Sequence, residues 1–230
     1  MQNNTIEILD FGDYTVFKLV TEDFLKENCY VVKHNNSNTA IIIDPGYNIG
    51  EITRLVQEYN IKVECILLTH AHFDHLGTSA ELQESLDIPC NIHKSDKRLL
   101  VHADMYAQRF AGKRVKIPRE IICLESGYSF KFGEDDCSII HTPGHSAGGI
   151  CIMFKGFIFT GDTLFFESIG RTDLPTGDII QLCKSIDTIM VLDNAMILPG
   201  HGCNWTIKEA KAWWKHKRNI YLKSKDEDIM

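Results

Sequence analysis

The residues best suited to chemistry are crowded into one short segment of the chain. It reads His70-Ala71-His72-Phe73-Asp74-His75, three imidazoles and a carboxylate within six residues. In an extended segment, residues i and i+2 point to the same side, so His70 and His72 can hold one cation while Asp74 and His75 address a second. Imidazole nitrogen with carboxylate oxygen is a zinc-type ligand set that also suits iron or manganese. We therefore interpret the segment as a metal site rather than a polar helix N-terminus.

Three further candidates, His145, Asp162 and His201, lie far apart in the sequence but share one local context. Each directly follows an apolar run and stands beside glycine, which lets the backbone turn sharply and expose the side chain. The shared context indicates that these three side chains belong to the same site as the histidine-rich segment.

The elements that must position these loops are short apolar, β-branched runs alternating with helical patterns. The strand-like runs are Tyr14–Val20, Asn28–Val32, Ala40–Ile43, Cys65–Leu68, Cys137–Ile140, Phe157–Phe159 and Met196–Leu198. Helical patterns cover 49–59, 76–86, 178–190 and 206–217, with Asp178 and Thr206 as N-caps, and 94–120 is helical up to Phe110 and then basic. Continuous apolar runs are typical of strands buried on both faces, and the alternation predicts a layered α/β protein. Open α/β sheets bind their ligands beyond the carboxyl ends of the strands, where the candidate residues stand.

Composition indicates a globular protein, and the charge balance argues against a nucleic-acid partner. The 230 residues are 44% hydrophobic and 24% charged, which indicates a globular protein with a sizeable core. Twenty-four Lys and Arg against 31 Asp and Glu give a net charge of −7. A nucleic-acid partner requires a basic stripe, and the sequence has no long basic run, so we expect no nucleic acid.

The cysteines and the N-terminal residues indicate where in the cell the protein is located. Eight cysteines are scattered without a C-x-x-C pair, and the N-terminus has neither a cationic start nor an apolar run. No stretch approaches the roughly 20 apolar residues of a membrane span. These features predict reduced thiols, a cytoplasmic location and no membrane association.

Four motifs in this order resemble the metallo-β-lactamase superfamily: His-x-His-x-Asp-His, Thr-Pro-Gly-His, Thr-Gly-Asp-Thr-Leu-Phe and Pro-Gly-His-Gly. The resemblance spans roughly residues 14–203. It implies an αββα sandwich of two mixed sheets flanked by helices, which we expect to be a single domain over residues 1–230, with a dinuclear metal site at one edge. By position, it implies that His70, His72 and His145 hold the first metal, that Asp74, His75 and His201 hold the second, and that Asp162 bridges both.

Within that superfamily, the segment 165–177 is similar to short glyoxalase-II-like hydrolases, relatives of the hydroxyacylglutathione hydrolases. This resemblance implies hydrolysis of S-D-lactoylglutathione or a related hydroxyacyl thioester. Two features depart from the longer enzymes of that type. Gly202-Cys203-Asn204 follows His201 where they carry Glu-Tyr-Thr, and only 29 residues remain after His201 in place of their glutathione-binding helical domain.

The chemistry follows from two cations, zinc in the first place and iron or manganese as alternatives. Two neighbouring divalent ions can share a water and lower its pKa to about 7, so that a metal-bridging hydroxide attacks the thioester carbonyl. We expect Asp162 and Asp74 to be catalytic, with Asp74 orienting the water or relaying its proton. A persulfide dioxygenase with a single iron, or a hydrolase of another ester, a lactone or a phosphodiester, are the alternative functions.

Substrate recognition requires local positive charge if the substrate is a glutathione thioester, because glutathione carries two carboxylates and the chain is acidic. The candidates are Arg171, close to the site in sequence, and Lys113 and Arg114 in the basic segment. Arg171 has a second interpretation as the partner of Asp173 in a loop-stabilising pair.

Overall fold

The structure is a computed structural model that describes residues 6–21 and 25–227. Seven strands form the first sheet, in sequence order across the sheet. They are β1 (Glu7–Asp10), β2 (Tyr14–Val20), β3 (Asn28–His34), β4 (Thr39–Ile43), β5 (Lys62–Leu67), β6 (Cys90–His93) and β7 (Ile121–Leu124). Strands β1 to β4 pair antiparallel, whereas β4 to β7 pair parallel, so the sheet is mixed.

The second sheet has six strands in the order β15-β14-β11-β10-β9-β8. They are β8 (Ser129–Phe132), β9 (Asp135–His141), β10 (Ile150–Phe154), β11 (Phe157–Gly161), β14 (Met196–Pro199) and β15 (Trp205–Thr206). This sheet is also mixed, because β11 and β14 pair parallel while the other neighbours pair antiparallel. A separate hairpin follows β11 and consists of β12 (Leu164–Phe165) and β13 (Ser168–Ile169).

Helices cover the outer faces of both sheets. They are α1 (Ile49–Glu58), α2 (Phe73–Leu76), α3 (Ser79–Leu86), α4 (Lys97–Val101), α5 (Ala103–Ala111), α6 (Ile179–Ile189) and α7 (Ile207–Glu227). Helices α1 to α5 share a core with the first sheet, and α6 and α7 share one with the second. The predicted N-caps are confirmed: Asp178 accepts from the backbone N–H groups of Ile180 and Gln181, and Thr206 accepts from that of Glu209.

The central strands are buried on both faces, as their continuous apolar runs predict. In β4, Ile41 and Ile43 belong to the core between the sheets, whereas Ala40 and Ile42 belong to the core beneath the helices. A strand covered on both faces must be apolar at every position, because successive side chains point to opposite sides. The resulting layers of helices, sheet, sheet and helices confirm the predicted αββα sandwich.

Hydrogen bonds join the two sheets at the edge where the candidate residues lie. The backbone N–H of Asn28 donates to the Gly200 carbonyl at 2.7 Å, and its side chain donates to the carbonyls of Pro199 and Gly202. The Tyr30 hydroxyl also donates to the Pro199 carbonyl, at 2.7 Å. The loop after β14 is therefore held against the first strands of the other sheet.

Two further expectations concern thiols and membranes. All eight cysteines are free in the structure, and their redox state stays a prediction. Among the described residues, no helix combines the length and the apolar character that crossing a bilayer requires.

Candidate metal centre

The seven predicted ligands come together at one edge of the sandwich. Most lie in loops that follow strands, and two lie on the short helix α2. His70 and His72 follow β5, Asp74 and His75 lie on α2, and His145, Asp162 and His201 follow β9, β11 and β14. In the second sheet β9, β11 and β14 run in the same direction, so the loops after them lie at one edge, where they meet the loop after β5 of the first sheet.

The first cluster consists of His70, His72 and His145. Their ligand atoms lie within 4.8 Å of one another, and Nδ1 of His72 is 2.8 Å from Nε2 of His145. His70 and His145 are buried, and His72 is partly exposed. Three imidazole nitrogens facing one point form a zinc-type ligand set.

The second cluster consists of Asp74, His75 and His201, again with ligand atoms within 4.8 Å of one another. Nε2 of His201 lies 3.3 Å from Nε2 of His75 and 3.5 Å from Oδ2 of Asp74. His75 is fully buried, whereas His201 is partly exposed. The cluster is therefore open to solvent on the side of His201.

Asp162 stands between the two clusters. Its Oδ2 is 3.4 Å from Nε2 of His145, and its Oδ1 is 3.2 Å from Nε2 of His75. The next loop must leave room for this carboxylate, because a Cβ at Gly200 would collide with Oδ1 of Asp162. Glycine before His201 is thus required by close approach.

Hydrogen bonds fix which imidazole nitrogen faces the site. Nδ1 of His145 donates to the Arg171 carbonyl at 2.8 Å, and Nδ1 of His201 donates to the Leu25 carbonyl at 2.9 Å. Nδ1 of His75 donates to Asp44 at 2.9 Å. With a proton on Nδ1, each Nε2 presents its lone pair to the site.

His70 reaches the same tautomer through Thr69. The Thr69 hydroxyl donates its one proton to Oδ2 of Asp44, so Nδ1 of His70, 3.1 Å from that hydroxyl oxygen, must be the donor. Asp44 is a residue that our sequence analysis did not identify as part of the site. The signal was present, because Asp44 directly follows the buried strand β4, as Asp162 directly follows the buried strand β11.

Asp96 is a second residue that the sequence analysis missed. Its buried carboxylate accepts from the backbone N–H groups of Ala71 and Gly148 and from the Ser146 hydroxyl. It therefore holds the His70–His72 loop against the loop that contains His145. No local pattern indicates this role, because Asp96 lies in a 3-10 turn 25 residues after Ala71.

Electrostatics set the charge states of the cluster. Burial lowers the pKa of His70 well below its ordinary value, and burial together with His145 lowers the pKa of His72 to about 3. Burial raises the pKa of Asp162, but His201 and the other neighbouring imidazoles outweigh it and bring that pKa well below its ordinary value. His70 and His72 are therefore neutral and Asp162 is ionised, the forms that bind a cation. Burial opposes protonation of His75 and His201, but Asp162 and the neighbouring carboxylates outweigh it and raise the pKa of both, so a bound cation must displace a proton from these two imidazoles.

The residues present fit bound metal ions. Nε2 of His70 and Oδ1 of Asp162 are buried and have no hydrogen-bond partner among the described residues. An unsatisfied buried polar atom costs about 1–3 kcal/mol, which a coordinated cation offsets. Nε2 of His70 faces the ligand nitrogens of His72 and His145, and Oδ1 of Asp162 faces Nε2 of His75. The arrangement therefore suits one cation on each side of Asp162.

A cavity of about 610 Å³ opens onto these clusters. Five predicted ligands line its floor, namely His72, Asp74, His145, Asp162 and His201. The remaining lining residues are mostly apolar or aromatic, with Phe73, Tyr106, Phe110 and Phe165 among them.

The predicted substrate-binding cations lie in different places. Arg171 lines the cavity, but the Nε–Nη2 edge of its guanidinium donates to Asp173, at 2.7 and 2.6 Å. Lys113 and Arg114 are not among the lining residues. The Lys113 ammonium lies 4.0 Å from the centroid of the Tyr47 ring, and Arg114 pairs with Asp104 at 3.0 Å. Their role in substrate binding stays a prediction.

The fold and the convergent His and Asp side chains define a metallo-hydrolase, and comparison with known proteins identifies its family. Residues 23–201 match the metallo-beta-lactamase superfamily, and the chain belongs to that superfamily. The resemblance in the four motifs is thereby confirmed.

The names of individual relatives state different activities or bound metals. The chain is 33% identical over 207 residues to the hydroxyacylglutathione hydrolase GloC of Haemophilus influenzae, covering 87% of this chain and 94% of GloC. The crystal structure of TTHA1623 in a di-iron-bound form is 35% identical, with a TM-score of 0.77 over 85% of this chain and 97% of that one. BLEG-1, a B3 metallo-beta-lactamase, is 30% identical, with a TM-score of 0.76 over 87% and 97%.

Proposed function

We propose that the protein is a dinuclear metal-dependent hydrolase of thioesters. The supporting observation is the position of Asp162 between two clusters of three ligand atoms each. In this proposal His70, His72 and His145 hold one ion, and Asp162 contacts both. The second ion takes the remaining predicted ligands, Asp74, His75 and His201.

Two bound divalent ions would supply a water of lowered pKa and Lewis acidity toward a carbonyl oxygen. The chain itself supplies positioning and a proton acceptor. Asp74 lines the cavity floor, where its carboxylate orients the attacking water and takes up its proton. The Asp44 carboxylate keeps the proton on Nδ1 of His75, so that Nε2 stays a ligand. A thiolate leaves readily, so the reaction needs no strong general acid.

The choice of a thioester rests on the relative GloC, whose name includes hydroxyacylglutathione hydrolase. S-D-lactoylglutathione is therefore the first substrate to assay. Zinc is the metal we propose, and the di-iron form of TTHA1623 makes iron the alternative to measure.

The proposal is tested by measuring metal content and thioesterase activity on the same protein preparation. Protein loaded separately with zinc, iron or manganese is analysed for metal per chain, and thiol release from S-D-lactoylglutathione is followed with a thiol-reactive chromophore. We expect two metals per chain and thiol release without oxygen consumption. One firmly bound iron per chain, with oxygen uptake on glutathione persulfide, would instead establish the dioxygenase alternative.

A further inference from the structure

We propose that the cavity beside the metal centre binds an apolar group of the substrate, on the acyl or the thiol side of the scissile bond. The inference rests on the proposed thioester hydrolysis and narrows its substrate class. It predicts that thioesters with a medium-length alkyl or an aryl group are better substrates than S-D-lactoylglutathione.

The first observation is the character of the cavity walls. Phe73 on α2 adjoins the predicted ligand Asp74, so an aromatic ring stands directly beside the floor of the site. Tyr106 and Phe110 on α5 form a second aromatic wall, with their rings stacked at 6.2 Å between centroids. Leu174 and Pro175 also line the cavity. A group bound between these walls is removed from water on several sides.

The second observation is the scarcity of positively charged side chains in the cavity walls. Of the described lining residues, Arg171 alone has a permanent positive charge, and the Nε–Nη2 edge of its guanidinium already pairs with Asp173. The hydrogen bond from Arg171 lowers the pKa of Asp173 to about 2, so this partner stays ionised at neutral pH. The Nη1 edge of the guanidinium remains, but Asp173 already balances its charge, so a glutathione carboxylate gains less from it. Burying a carboxylate without a partner is costly, whereas an apolar group incurs no such cost.

The third observation is the exposure of Phe110. Its side chain is 54% exposed although it lines the cavity, whereas Leu99 on α4, which also lines the cavity, is buried. An apolar substituent in the cavity would cover the exposed ring and remove apolar surface from water on both partners. Each buried methylene contributes about a fourfold gain in affinity, so an octanoyl chain has a large advantage over an acetyl group.

The test compares matched substrates of the zinc-loaded enzyme. The acyl arm uses acetyl, butyryl and octanoyl thioesters of N-acetylcysteamine, and the thiol arm uses thioacetates of benzyl mercaptan and 2-mercaptoethanol. We expect kcat/KM to rise by about 100-fold from the smallest to the largest member in one arm. The arm that shows the rise identifies the side of the scissile bond that occupies the cavity.

Variants locate the effect. Phe110→Ala should lower kcat/KM for the preferred apolar substrate by about tenfold. It should leave kcat/KM for the smallest substrate of the same arm nearly unchanged. Met105→Ala is the control, because Met105 is similarly exposed on the same helix but does not line the cavity. Phe110→Arg adds a cation at the cavity and should shift preference toward S-D-lactoylglutathione.

A binding measurement separates this inference from the proposed function. Calorimetry with the octyl thioether of N-acetylcysteamine, which cannot be hydrolysed, should show binding that the ethyl thioether lacks and that Phe110→Ala weakens. If no thioester is hydrolysed but the octyl thioether binds in this way, the proposed function fails and the apolar site stands. If S-D-lactoylglutathione is hydrolysed while neither arm responds to apolar size and the octyl thioether does not bind, the apolar site is refuted and thioester hydrolysis stands.

Discussion

Nδ1 of His75 donates a hydrogen bond to Oδ2 of Asp44 at 2.9 Å, and both side chains are fully or almost fully buried. The same carboxylate accepts from the backbone N–H and the hydroxyl of Thr69, the residue before His70. One carboxylate that we do not assign as a ligand thus orients a predicted ligand of each metal. Such supporting partners fix the tautomer and the direction of the ligands they contact.

Replacing this supporting carboxylate should weaken metal binding. We expect Asp44→Ala to lower metal affinity by about 10- to 100-fold, because His75 loses its orienting partner and His70 loses the arrangement set through Thr69. Competition with a chromophoric chelator measures the affinity. Asp136→Ala, at an exposed aspartate on β9, is the control and should bind metal as the unsubstituted chain does. Equal affinities in the two variants would contradict the role of Asp44.

From the position of Asp162 between the two clusters we predict how many metal ions each variant retains per chain. His201→Ala removes a ligand of one cluster only, so this variant should retain about one metal per chain. Asp162→Ala removes a ligand from both clusters and should retain less metal than His201→Ala. Elemental analysis after dialysis against metal-free buffer measures both. Equal metal content in the two variants would argue against a bridging carboxylate.

Asp96 should be important for stability as well as for the site. Asp96→Ala leaves two buried backbone N–H groups and the Ser146 hydroxyl without their acceptor. We expect a loss of at least about 3 kcal/mol in the free energy of unfolding, measured by urea denaturation. Asp193→Ala removes an exposed ion pair with Lys211 and should cost less than about 1 kcal/mol. A loss of that small size in Asp96→Ala would show that the two loops are held together by other contacts.

His93 should contribute to the loss of stability in acid. Its ring stacks on that of His141 with centroids 4.0 Å apart, and burial, His141 and Lys94 lower its pKa to about 4. Because the unfolded value is about 6.5, the unfolded chain takes up the proton first as the pH falls. The stability contribution is therefore complete above about pH 6.5 and is lost progressively toward pH 4.

The variant His93→Gln tests this dependence. Urea midpoints between pH 7 and pH 4.5 should fall less steeply in His93→Gln than in the unsubstituted chain. Both proteins keep the same predicted metal ligands, so proton-driven loss of metal affects both alike. Parallel curves would mean that His93 does not titrate differently in the folded and unfolded states.

Much of the fold could be predicted because its signals are local. The run Ala40–Ile43 is apolar at every position, and such a run predicts a strand covered on both faces whatever the rest of the chain does. The predicted caps Asp178 and Thr206 are likewise formed by hydrogen bonds within one helical turn. The crowding of His70 to His75 is local as well, and it indicated a site before any strand was placed.

Contacts between distant segments had no such signal. Asp96 holds groups 25 and 50 residues away in the sequence, so nothing in its own neighbourhood marks it. Asp44 could have been found by the rule that polar residues after buried strands gather at one edge. Asn28 and Tyr30, which hold the loop containing His201, read only as part of a strand.

The sequence by itself determined which residue types stand at the ends of the strands, and therefore the kind of chemistry available. The tertiary structure alone decided which charges remain available to a substrate. In the sequence, Lys113 and Arg114 stood as substrate-binding cations, and Arg171 as either a substrate-binding cation or the partner of Asp173. The fold forms the Arg171–Asp173 pair and places the other two away from the cavity lining. The physical reason is that a donor type is a property of one residue, whereas the partner and solvent exposure of a charge depend on every segment that folding packs around it.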